Sequence, residues 1–131
     1  MKVRTEAEKE KDYQMGMMAE NKIMPKLSDH FGEEMYKDPW RNALIDFYNF
    51  DKTVYVELKR RRINFGIHYQ DIMIGKNKID YFRAINKQND KTFYFVVSAD
   101  NGDFIAEIDT ECDYRRCEKI VFIPCGHFVK F

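Results

Sequence analysis

The chain has 131 residues, 44% hydrophobic and 15% aromatic, which suits one packed domain and excludes a disordered chain. Lysine plus arginine and aspartate plus glutamate both number 22, so there is no overall basic field to attract nucleic acid. Any such contact has to come from a local patch. The start, MKVRTEAEKEKDY, has no apolar segment of the kind a secretion signal needs, and no run approaches the ~18 apolar residues of a membrane helix. An intracellular, non-secreted protein is expected, with its three cysteines as thiols or ligands rather than disulfides.

Residues 1–10 read as a flexible charged end of a single domain spanning 1–131. Residues 6 to 31 follow a helical pattern, with Tyr13, Met17, Met24, Leu27 and Phe31 on one face. Pro25 removes a backbone donor and crowds the preceding turn, so a kink or break is expected near Asn21 to Pro25. A turn-like region containing KDPW follows at 32–41, with an optional strand between 32 and 45. Two strand-like runs come next, NALIDFYNF (42–50) and TVYVELKRRR (53–62), joined by Asp51 and Lys52 as a hairpin connection. Residues 63–75 carry no clear period. KNKIDYFRAINK (76–87) has helical spacing, TFYFVVSA and DFIAEID read as strands around the tight turn DNG, and KIVFIP is a last strand. The expected class is α/β (α+β), with a largely antiparallel sheet flanked by helices.

Four charged residues interrupt this pattern. Glu57 and Lys59 lie two apart in a strand and share one face, opposite Val54, Val56 and Leu58. Alone, such a pair is ordinarily the wet face of an edge strand. Asp46, in the preceding strand, would come close to Glu57 through a short hairpin, and two carboxylates beside a lysine suit a hard cation. Its ordinary role would be to begin a turn, and Asp51 competes for the same part from the hairpin tip. Glu20 is the only charge in the series 13, 17, 20, 24, 27, 31, and calls for a partner, a metal or a cleft unless the stripe is tilted. Lys78 shares a helix face with Tyr81, Phe82 and Ile85, where a snorkelling lysine is the ordinary explanation.

The shared order is an acid on a helix, an acid on a strand, E-x-K on the next strand and a lysine on the next helix. It resembles the PD-(D/E)XK nuclease superfamily, carried by GMMAE (16–20), LID (44–46), ELK (57–59) and GKNKIDY (75–81), over roughly residues 12 to 100. The size is similar to that of small phage and viral nucleases and junction resolvases. Two positions depart from the pattern: Ile45 stands where the superfamily name has proline, and Lys78 where many members have glutamine. The resemblance implies a restriction-endonuclease-like core of helix, three-stranded meander, helix and strand, with extra carboxy-terminal strands. It implies a Mg²⁺- or Mn²⁺-dependent DNA endonuclease in which Asp46, Glu57 and the backbone carbonyl of Leu58 hold the ion. Lys59 would act on the attacking water or the transition-state charge. Glu20 would hold a second ion or its waters, and Lys78 would contact the scissile phosphate. Beside such a site, Arg60, Arg61, Arg62 and Lys76 become candidates for gripping the phosphate backbone, with Arg61 on the same parity as Glu57 and Lys59. If so, the 53–62 strand is central and its polar face is a cleft. Structure-directed cutting in replication, recombination or repair is expected of so small a chain, and a homodimer would provide two cuts.

Two other functions are compatible with these residues. One is a nucleic-acid-binding or structural protein on the same fold with a relict site. The other is a zinc-dependent interaction module using Cys112, Cys117, Cys125 and His127. The C-x4-C and C-x-H spacings are not paired knuckles, and a strand between the halves would hold them apart, so unrelated cysteines are the preferred reading there.

Overall fold

The computed structural model describes residues 3–40 and 43–131. Its first element, α1 (Glu6–Phe31), starts inside the stretch expected to be a flexible end. Thr5 caps it by accepting a hydrogen bond from the Glu8 backbone N–H at 3.1 Å, and Glu6 and Glu8 place negative charge on the positive end of the helix. Gly32 closes it in a left-handed conformation (φ 68°), donating its N–H to the Ser28 carbonyl. Of the kink or break expected near Pro25, a break is absent, and the helix runs through the proline. Ile23 and Leu27, on either side of the proline, are both buried, and this packing outweighs the lost hydrogen bond. The buried stripe is also rotated from the expected one, with Ile23 at its centre and Met24 at its margin.

The strands form two sheets. The larger runs in the order β1 (Met35–Lys37), β2 (Phe47–Asn49), β3 (Val54–Arg60), β5 (Thr92–Ala99), β6 (Gly102–Glu107), β9 (Val129–Lys130). All its neighbours are antiparallel except β3 and β5, which are parallel. The crossover between that pair contains β4 (Asp71–Gly75) and α2 (Lys76–Ile85). The smaller antiparallel sheet orders β4, β8 (Ile120–Pro124) and β7 (Arg116–Cys117). The mixed α/β character matches the expected class, and the optional strand of the 32–45 region is β1.

Alternation along β3 assigns its two faces. Val56 and Leu58 pack with Ile23 and Leu27 of α1, Phe47 and Val96. Tyr55 joins the opposite cluster, with Ile79 and Phe82 of α2 and Ile72, Ile74 and Ile123 of the smaller sheet. As expected, β3 is central; its polar face, expected to be a cleft, is instead closed over Glu57, and Lys59 toward its end is half-buried.

The strand expected over 42–50 is much shorter, and its Asn42 lies outside the described residues. Pairing with β3 stops at Phe47↔Val56. One residue earlier, the Asp46 carboxylate, not a backbone carbonyl, takes the Leu58 N–H at 2.8 Å. The hairpin is also wider than the expected Asp51–Lys52 link. Buried Asn49 closes it, its Oδ1 accepting from the Thr53 and Val54 backbone N–H groups at 2.8 and 3.0 Å. Asn49→Ala leaves both donors without that acceptor, so it should lower unfolding stability by about 2–3 kcal/mol in urea denaturation. A change within 0.5 kcal/mol, of the size ~0.5 usual for surface substitutions, would contradict this role.

Candidate functional site

Glu57 sits in the middle of β3, 2% exposed, on the face turned toward α2. Its Oε2 lies 3.8 Å from Lys59 Nζ and 3.6 Å from Lys78 Nζ. Strand parity supplies the first neighbour, and the start of α2 supplies the second. Its Oε1 is buried without a hydrogen-bond partner among the described residues. Burial is the main reason that its pKa is raised from 4.5 to about 8. The nearby Asp46 charge raises it further, and Lys78 and Lys59 oppose the change.

Asp46 stands where β2 leaves β3. Its carboxylate is held by the Leu58 N–H, and its own carbonyl accepts the Asp38 N–H at 2.9 Å. Within a strand a residue's N–H and C=O point the same way, so the Leu58 carbonyl is also directed at the gap beyond β2. Asp46 and Glu57 are thus close enough to act on each other's charge, and the Leu58 carbonyl is directed to the Asp46 side of β3.

Glu20 approaches from α1 on the other side of Asp46. Its pKa is raised by burial and by the Asp46 charge, against the pull of Lys37, whose Nζ is 3.1 Å away. Glu20 and Asp46 line one cavity of about 350 Å³. Glu20 thus extends the acidic line, but it is engaged by a lysine. Among the described residues no group of three His, Cys, Asp or Glu side chains converges as a ready metal cage.

Lys37 was missed in the sequence. Its signal was Met35-x-Lys37 in the optional strand, where alternation puts the lysine on the face of buried Met35, toward α1. Of the expected phosphate contacts, Arg60 is tied to Asp100 at 2.8 Å and to the Ser98 carbonyl at 3.0 Å. Lys76 is paired with Asp80 at 2.8 Å. Arg62 reaches Met15 of α1. Arg61 lines a different groove with Tyr69, Met73 and Arg115. The three arginines therefore diverge and do not form one patch.

Cys112, Cys117, Cys125 and His127 are not brought together. Cys117 and Cys125 flank opposite ends of β8, Cys125 donates to the Tyr69 carbonyl, and His127 packs near the Tyr114 ring. The intervening strand holds the halves apart.

Compared with known proteins, the chain matches no protein-family model and no curated protein.

The raised pKa of Glu57 has a stability consequence. With a folded-state pKa above the unfolded one, Glu57 keeps its proton in the folded chain between pH 4.5 and about 8. Its contribution is fully present below the lower value and is lost as pH rises through the upper one. A tenfold difference in proton affinity between folded and unfolded chains is worth about 1.4 kcal/mol, so metal-free protein should lose about 3 kcal/mol of stability between pH 6 and 8, and little more above that. Glu57→Gln should remove most of that slope. Equal slopes for the two proteins in urea titrations would show that Glu57 is not the titrating group.

Proposed function

We propose that this chain is a divalent-metal-dependent nuclease that hydrolyses phosphodiester bonds in DNA on a restriction-endonuclease-like core. The order of elements supports it: α1, the antiparallel meander β1–β2–β3, then, after β4 of the smaller sheet, α2 and β5 parallel to β3. The observation that carries it is buried Glu57, with one oxygen lacking a hydrogen-bond partner among the described residues, Asp46 close by and two lysines on its other oxygen. A carboxylate pair of this kind is poorly stable alone, and a hard cation would relieve both its burial and its repulsion.

Asp46, Glu57 and the Leu58 carbonyl would hold Mg²⁺ or Mn²⁺, and Glu20 would lie farther out, among the ion's waters. When bound, the ion supplies Lewis-acid stabilisation of a phosphoryl oxygen and a more acidic water. Lys59 is 34% exposed in its side chain, against 17% for Lys78. Lys59 is therefore the cation open to an entering phosphate, where it orients the attacking water and balances charge that develops on the phosphoryl oxygens. Lys78, deeper and on the same Glu57 oxygen, keeps that carboxylate oriented. The Leu58 N–H fixes the Asp46 carboxylate so that it need not reorganise.

The test is cleavage of plasmid, linear duplex, single-stranded and branched DNA with Mg²⁺ or Mn²⁺, against EDTA. The wild type should cut at least one form. Lys59→Ala and Asp46→Asn, both folded by circular dichroism, should be slower by about a hundredfold or more. Asp46→Asn retains an acceptor for the Leu58 N–H. A folded wild type that cuts none of these with either ion would leave a catalytically inactive DNA-binding protein as the better account.

A further inference from the structure

The KDPW turn has no part in the chemistry above, yet it opens onto the same acids. Trp40, the chain's single tryptophan, is 76% exposed. Its turn is tightly tied. The Trp40 N–H donates to Asp38 Oδ1 at 3.0 Å, the Trp40 carbonyl accepts the Ala43 N–H at 3.2 Å, and Pro39 restricts the backbone between them. The Asp38 N–H in turn donates to the carbonyl of Asp46. The indole is thus fastened, two residues away, to the strand end that carries a proposed metal ligand. With Tyr13, Met17 and Lys37 it lines the 350 Å³ cavity that Glu20 and Asp46 also line.

A large apolar ring left open beside a polar cavity is well suited to stacking on a flat partner. The acids would deter an anionic group unless a cation intervened, whereas a neutral aromatic ring next to a phosphate meets both halves of the site. Bases in a duplex already have both faces stacked, so the partner has to be a base without a full stack. Resting on the nuclease reading, we propose that Trp40 is a stacking platform for an unpaired nucleobase next to the scissile phosphate. The substrate class is then DNA with a single-stranded, flapped or branched segment at the cut.

Because there is one tryptophan, its emission reports on this contact directly. The wild type is titrated with an eight-residue oligothymidine, with Ca²⁺ replacing Mg²⁺, and separately with a blunt duplex of equal length. The oligothymidine should quench the emission strongly and saturably, and the duplex should do so weakly. In labelled-oligothymidine anisotropy, Trp40→Ala should bind about tenfold more weakly, and Trp40→Phe within about threefold of wild type. Absence of quenching, equal quenching by duplex, or equal binding by Trp40→Ala would overturn the platform. An emission change with protein concentration alone would place a second copy over the indole and also overturn it. The two proposals fail separately. Quenching by a protein that cuts nothing leaves the platform standing without the nuclease, and cutting without quenching leaves the nuclease without the platform.

Discussion

One buried carboxylate organises this molecule. Glu57 stands in the central strand of the larger sheet, where an aliphatic side chain would be more stable, and its surroundings are arranged around that fact. An isolated ionised carboxylate in such a place costs several kcal/mol unless it is protonated or paired. Here it has two lysines on one oxygen, an aspartate nearby and nothing on the other oxygen among the described residues. The lysines come from different elements, one from the same strand and one from the start of α2. The charge cluster therefore depends on α2 being docked against β3, and the docking surface is the apolar cluster of Tyr55, Ile79 and Phe82.

Asp46 links this cluster to the shape of the sheet. Its carboxylate ends the β2–β3 ladder by taking the Leu58 N–H, and β2 diverges there. The gap leaves room for oxygen donors in the sheet plane, and the cavity beside it runs to Glu20 and Trp40. Shortening one strand by a side-chain hydrogen bond thus leaves the Asp46 carboxylate at the edge of the cavity that Glu20 and Trp40 also line.

Much of this was legible in the chain because it rests on period and parity. Two-residue alternation put Glu57 and Lys59 on one face and Val56 and Leu58 on the other, and helical spacing placed Lys78 among apolar neighbours. What was not legible rests on long-range packing. Helix α1 continues through Pro25 because Ile23 and Leu27 are held by the sheet, which local sequence does not reveal. Strand β2 is short because a side chain competes with the backbone for one N–H. Parity singles out Arg61 within the basic run, but the pairing of Arg60 with Asp100 and the reach of Arg62 to Met15 rest on contacts distant in the chain. Lys37 was hidden in a strand of three residues, too short to show a period.

If Glu57 is held protonated until a cation arrives, the cation must displace that proton. Calorimetric titration of Mn²⁺ into the protein at pH 7, in buffers of different ionisation enthalpy, measures this directly. Binding accompanied by release of close to one proton, with both lost in Glu57→Gln, is the predicted result. Binding with no proton released, or equal binding by Glu57→Gln, would contradict Glu57 as the centre of the site.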